Sequence, residues 1–205
     1  MEKKLHSTRQ QRSIETREKL LKSAQIVFLQ HGFQKTTISQ IIKHAETGYG
    51  TAYVYFKNKD DLLIVLMEDV MNRFYKIAER SFLPKTKKEA RNMVQNQVRA
   101  FLQLAKEEKN MLQVMGEAIG ASIEVRNKWT EIRERFVSHI MQDITYSQEN
   151  GLARNELNKE FVARGWFSMN EMFLWEIVRS EMELNVEEIV YTLTEMYTAG
   201  LYQNR

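Results

Sequence analysis

The chain has 205 residues, 43% of them apolar and 28% charged, with one proline, eight glycines and no cysteine. That composition suits a globular chain with a sizeable core, excludes disulfides, thiolate nucleophiles and thiolate zinc sites, and argues for long helices over many short strands. The net charge of +3 is unevenly spread: residues 1–60 hold 11 Lys/Arg against 5 Asp/Glu, and residues 61–205 hold 19 against 22, the pattern of a polyanion-binding module on a mildly acidic body.

Residues 1–15, with Lys3, Lys4, Arg9 and Arg12, lack apolar periodicity and read as a flexible basic arm. A helix is predicted from Thr16, carried by Leu20, Leu21, Ala24, Val27 and Phe28 and closed by Gly32. Thr37 caps a short helix over 37–46 with Ile38, Ile41 and Ile42 on its apolar face. Residues 45–48 allow only a tight turn before a two-turn segment over 48–56. A fourth helix runs from Lys59 to about Ser81 through Leu62, Leu63, Leu66, Val70 and Phe74, and Pro84 closes the unit. Five more helices follow, over 86–106, near 111–115, and over 122–149, 158–182 and 186–202. The predicted fold is therefore all-α. No signal-peptide stretch and no window of 18 uncharged apolar residues occurs, so a membrane partner is not expected and a cytoplasmic location is.

The short helices 37–46 and 48–56 form a helix-turn-helix pattern. In such a pattern the second helix enters the major groove, about 12 Å wide, and its first residues reach base edges. Here those residues are Gly48, Tyr49, Gly50 and Thr51. Gly50 costs about 1 kcal/mol against alanine, which close approach of backbone to DNA would explain, although a merely tolerated glycine reads the same way. Tyr53 and Tyr55 bring hydroxyls suited to phosphate oxygens, while Tyr55 and Phe56 also read as core. Lys59 and Thr37, each at a helix start, offer phosphates a side chain together with free N–H groups.

Thr36-Thr37-Ile38, then Ile41 and Ala45, then Gly50-Thr51-Ala52-Tyr53-Val54-Tyr55-Phe56-Lys57-Asn58-Lys59-Asp60-Asp61-Leu62 resembles the DNA-binding domain of TetR-type transcriptional regulators. The resemblance implies a three-helix DNA-binding domain over 13–73 and a helical effector-binding and dimerisation domain over 82–205. It implies a homodimer on a near-palindromic DNA operator, released when a small-molecule effector enters the body, at work on the bacterial nucleoid and needing no cofactor. Carried over by position, it assigns base contact to Tyr49 and Gly50 with Thr51 beside them. Phosphate contact falls to Thr37, Thr47, Tyr53, Tyr55 and Lys59. Glu46 and Thr47 depart from the pattern, since many members have glycine and an apolar residue there. A glutamate in a left-handed turn is strained by about 1–2 kcal/mol, and its carboxylate opposes phosphates unless it points away. An activator, or a constitutive DNA-binding helical protein, is the alternative, because sequence does not set the sign of regulation.

The predicted helix over 158–182 is apolar on nearly all sides, which points to packing against its own body and against a second copy. With the last helix it suggests a four-helix interface using Trp175, Val178, Leu193, Met196, Tyr197 and Leu201, the competing reading being a large monomeric core. Met93, Phe101, Met111, Met115, Trp129, Phe136, Trp166, Met169 and Phe173 are the candidates to line an apolar effector cavity. Singly each reads as core, and the cavity follows mainly from the resemblance. No catalytic role is expected: His6, His31 and His44 have no metal-ligand spacing, His139 and Asp143, one turn apart, do not make a metal site, and no nucleotide or hydrolase fingerprint occurs.

Overall fold

The computed structural model describes residues 2–180 and 184–202, with side chains from residue 10 onward. Its regular elements are helices: α1 (Glu2–Lys35), α2 (Ile38–His44), α3 (Tyr49–Tyr55), α4 (Lys59–Ala78), α5 (Lys87–Glu107), α6 (Lys109–Ala121), α7 (Ile123–Glu149), α8 (Lys159–Arg179) and α9 (Val186–Tyr202). No helix among the described residues is long and apolar enough to cross a membrane.

The stretch that reads as a flexible arm is helical from Glu2. It holds no glycine or proline and is rich in Lys, Arg, Gln and Glu, all good helix formers. Gly32 interrupts α1 with φ 72°. The conformation demands glycine, while a Cβ there would also lie 2.8 Å from the carboxylate end of the Glu117 side chain, which would have to move. α6 is longer than the few residues expected around Met111, and the expected end of α8 at Met182 lies outside the described residues. Asn158 caps α8 by accepting from the N–H groups of Glu160 and Phe161.

The chain divides into two compact units. The first takes in the described residues up to Val70 together with Gln113–Lys128. Sequence reading groups 113–128 with the body, but side chains tie it here: Glu117 accepts the Phe33 N–H at 2.9 Å, and Lys128 pairs with Glu68. In this unit α1, α2 and α3 pack on one another. Leu20, Ala24, Phe28, Ile41, Ile42, Leu62 and Leu63 are fully buried, and Phe28 stacks on Phe33 with ring centroids 6.0 Å apart.

The second unit comprises Met71–Leu112 and the described residues from Trp129 on. There α5 packs on α8 and α9, and α8 on α9. Phe74, Phe101, Phe136 and Phe167 form a continuous aromatic run, with successive centroids 5.1, 6.1 and 5.4 Å apart. Ion pairs Arg91–Glu195 and Arg99–Glu187 tie α5 to α9 at its edge.

Candidate functional site

The α2–turn–α3 pair is built by local signals. Thr37 closes a capping box: its hydroxyl oxygen accepts the Gln40 N–H at 3.3 Å, and its own N–H donates to Gln40 Oε1 at 2.7 Å. Beside it, Thr36 is buried and donates to the Gly32 carbonyl at 2.7 Å. Glu46 does sit in the left-handed region, φ 45°, and its carboxylate lies 3.6 Å from the Lys19 ammonium on α1. The Thr47 hydroxyl donates to the Ala45 carbonyl at 3.0 Å, which tightens the turn.

One side of α3 is open. Tyr49, Tyr53 and Val54 are 54%, 47% and 78% exposed, Gly50 and Thr51 are exposed as well, and Ala52 alone is buried. At a helical pitch Tyr49 and Tyr53 share one row, Gly50 and Val54 the next, and Thr51 the third. A Cβ on Gly50 would meet nothing within 4 Å, so the protein's own packing does not call for a glycine there. Sequence reading passes over Val54 and over Lys35, Lys43 and Lys57. All four are exposed, and the three lysines have no ion pair among the described residues.

Besides Thr37 and Thr47, whose hydroxyls are engaged within the motif, two more expected phosphate-contact residues have partners elsewhere inside the protein. The Tyr55 hydroxyl is 2.9 Å from Ser13 Oγ on α1 and is half-buried. The Lys59 ammonium donates to the carbonyls of Phe33 and Thr36 at 2.6 and 2.9 Å and lies 4.2 Å from the Phe33 ring centroid. It therefore clamps the end of α1 to the start of α4. Asn58 caps α4 through the Asp61 N–H at 2.8 Å, and Asp61 in turn accepts the Lys57 N–H at 2.9 Å. Burial and the Glu124 carboxylate raise the Asp60 carboxyl above its ordinary value.

The second unit holds a cavity of about 60 Å³. Of the nine candidates, Phe101, Phe136 and Trp166 line it, and Met93, Met111, Met115, Trp129, Met169 and Phe173 do not. Met115 falls in the first unit. Trp129 is buried, with its indole N–H donated to Glu171 at 2.9 Å and its ring 5.4 Å from that of Trp175. The polar wall of the cavity is Gln97, His139, Asp143 and Asn170. Its only trace legible in the sequence is the one-turn spacing of His139 and Asp143. Burial pushes the Asp143 carboxyl up to about 7. No cluster of three or more metal-ligating side chains occurs among the described residues.

The candidates for a dimer face mostly point inward. Val178, Leu193, Tyr197 and Leu201 are buried within the unit, Tyr197 stacked on Trp166 with centroids 4.1 Å apart. Trp175 is half-buried and Met196 exposed. The outward side of α8 carries Phe161, Gly165, Ser168 and Met172, and that of α9 carries Thr192, Met196, Ala199 and Gly200. A Cβ on Gly165 or Gly200 would meet nothing within 4 Å.

The chain matches the family of bacterial regulatory proteins, tetR family, over residues 20–66, and the C-terminal domain of transcriptional regulator EthR over residues 94–203. It is 23% identical to the fatty acid metabolism regulator protein of Bacillus subtilis (strain 168) over 184 residues, 89% of this chain and 94% of that protein. The fold is similar to that of the fatty acid degradation regulator FadR from Bacillus halodurans, with a TM-score of 0.69 and 20% identity over 90% of this chain and 95% of that one. It is also similar to Salmonella enterica GusR, with a TM-score of 0.73 and 16% identity over 90% of this chain and 94% of that one. At such identities the structural likeness concerns the fold. The first two of these are, by name, regulators and not enzymes.

Proposed function

Because the chain belongs to the TetR family, as a transcriptional regulator with a helix-turn-helix DNA-binding domain and a ligand-binding C-terminal domain, we propose that it is a repressor. It binds a near-palindromic operator as a homodimer and leaves it when a small molecule with an apolar or aromatic body enters the second unit. The observation that carries the DNA half is the open side of α3, where a glycine unneeded by internal packing lies between exposed tyrosines. Tyr49 reads a base through its hydroxyl and ring, Gly50 lets the backbone approach, and Thr51 and Val54 meet base edges or thymine methyl groups. Tyr53 holds phosphates from the flank, as do Thr37 and Thr47 once their hydroxyls exchange the Gln40 and Ala45 acceptors for phosphate oxygens, and the exposed lysines supply the long-range field. Tyr55 and Lys59 support this surface from behind.

Dimerisation is supported by the outward stripes of α8 and α9. Apolar Phe161, Met172 and Met196 alternate there with small residues that let a second helix pair approach closely. Two copies would present two recognition helices to half-sites about 34–36 Å apart, or a multiple of that.

Release follows from linkage: a ligand that prefers a conformer with misplaced recognition helices lowers operator affinity by its differential affinity. The aromatic walls Phe101, Phe136 and Trp166 suit an apolar body. A cavity of about 60 Å³ is smaller than the ~300–1,000 Å³ of drug-sized sites, so occupancy by a larger ligand parts its walls. Ile77 and Ala78, at the C-terminal end of α4, belong to those walls.

The test is selection of genomic DNA fragments by the purified protein at one physiological salt concentration. A recurrent palindromic site is expected. Enrichment no better than for random fragments, from protein shown to be ligand-free, would overturn the reading.

A further inference from the structure

The cavity of the second unit has an electrostatic sign. Asp143 on α7 lines it, is half-buried, and receives no hydrogen bond or ion pair at its carboxylate among the described residues. The amide nitrogen of Gln97 is already engaged, donating to the carbonyls of Ile77 and Ala78 at 3.4 and 3.3 Å. That of Asn170 donates to the Trp166 carbonyl at 2.8 Å. What these two amides have left is mainly their oxygens, so acceptors dominate the polar wall. The rest is apolar, with four aromatic rings, Phe101, Phe136, Trp166 and Phe167, beside the aliphatic Ile77, Ala78, Val98 and Ile140. Ring faces attract cations and bury hydrocarbon equally well.

A ligand with a carboxylate or carbonyl head would set acceptor against acceptor in a part-buried, mostly apolar site, where unpaired polar groups are costly. A ligand with an ammonium would meet a carboxylate, two amide oxygens and four aromatic rings. We propose that the cavity is a site for a small organic cation, a primary ammonium on an apolar or aromatic body, with Asp143 as its counter-ion. The proposal rests on the reading of the second unit as effector-binding and adds the head-group chemistry.

It has a pH signature. The groups facing Asp143 are His139 one turn earlier on α7 and Tyr197 and Tyr202 from α9. The walls from α5 and α8 contribute only the uncharged Gln97 and Asn170. His139 Nε2 is 3.1 Å from Glu79, which also pairs with Arg135. Both tyrosine hydroxyls are held above their ordinary range by burial and stay neutral. Without a ligand the half-buried Asp143 carboxyl titrates near 7, and an ammonium needs it ionised. Cation affinity therefore falls as pH drops below 7, by up to tenfold per unit.

The test is calorimetric titration of the full chain with 2-phenylethylamine, 2-phenylethanol and 3-phenylpropionate, which share a ring and differ in the head. At pH 8 the amine is expected to bind at least tenfold tighter than either, and only its affinity should fall between pH 8 and pH 5.5. Asp143→Asn, checked by circular dichroism, should bring amine and alcohol within about twofold, while Asp143→Glu keeps the preference. If the alcohol or the acid binds as tightly as the amine, or the preference survives Asp143→Asn, the head-group assignment fails and the cavity still stands as a ligand site. If none of the three binds at millimolar concentration, the assignment and the cavity as effector site fail together.

Discussion

Removing the Lys59 ammonium separates two roles that the sequence alone leaves joined. In Lys59→Met the stem stays over the Phe33 ring while the donors to the Phe33 and Thr36 carbonyls, at 2.6 and 2.9 Å, are lost. A hydrogen bond involving a charged group contributes about 1.5–3 kcal/mol. The ammonium is half-exposed, so the low end applies to each bond, and the loss is about 3 kcal/mol. At about 2–4 °C per kcal/mol for a chain of this size, the thermal midpoint drops by about 6–12 °C. Urea unfolding followed by circular dichroism at one protein concentration measures the first quantity. Fluorescence anisotropy on a random-sequence duplex between 50 and 200 mM salt measures the second, at a temperature where both proteins are folded. An ammonium engaged with carbonyls contributes no counter-ion release, so the slope of log affinity on log salt stays unchanged. A slope shallower by about 0.9 per bound chain, with stability intact, would refute the clamp and return Lys59 to the phosphates.

Gly32→Ala combines strain at φ 72° with displacement of the Glu117 carboxylate from the Phe33 N–H; a loss of about 2–4 kcal/mol in urea unfolding is expected, and a near-neutral result would contradict it. Tyr49→Ala leaves stability within about 0.5 kcal/mol, because the side chain is exposed, and relaxes base preference by about 1–3 kcal/mol in competition binding; equal losses on specific and random DNA would remove it from base readout. Asp143 titrates near 7 when folded and near 3.9 when unfolded, so the folded state binds the extra proton and stability declines as pH rises from about 4 to 7. Asp143→Asn should therefore gain on the order of 4 kcal/mol at pH 8 and only about 0.5 kcal/mol at pH 4; a difference flat in pH would show that the carboxyl is not perturbed. Met196→Glu places a charge on the outward side of α9, and light scattering should give the mass of one 24.3 kDa chain where the parent gives two; an unchanged dimer would exclude this stripe.

What is legible in the sequence is whatever closes within a few residues. The Thr37–Gln40 capping box, Gly32, the turn over 45–48 and the open rows of α3 all depend on near neighbours, and helix periodicity reports them directly. The roles of Tyr55 and Lys59 depend on Ser13 and on the Phe33 and Thr36 carbonyls, which lie 42, 26 and 23 residues away in sequence. No local pattern separates such a clamp from a phosphate contact. On α8 the apolar residues cover nearly the whole circumference, so periodicity cannot tell the inner face from the outer, and the residues it offers for a dimer face are mostly inner ones. The outward stripe emerges only once Ala163, Phe167, Asn170 and Leu174 are known to be buried. The cavity is the least legible feature, because it forms where packing from α4, α5, α7 and α8 falls short, and a sequence carries no direct record of a shortfall.

The helix α4 shows why small events at its two ends matter to each other. Its 20 residues make a rod of about 30 Å. At the start, Lys59 holds it to the backbone around Phe33 and Thr36, which leads directly into the capping box of α2. At the far end its terminal carbonyls, those of Ile77 and Ala78, accept from Gln97, and the same two residues line the cavity. A rod gripped by side chains at both ends tilts more readily than it bends. A tilt of about 5° about the Ala78 end displaces the Lys59 end by roughly 2.5 Å, several times the ~0.5 Å tolerance of a well-placed polar contact. On the proposed release mechanism, a ligand that tilts α4 by this much would misplace the base-reading residues without unfolding any helix.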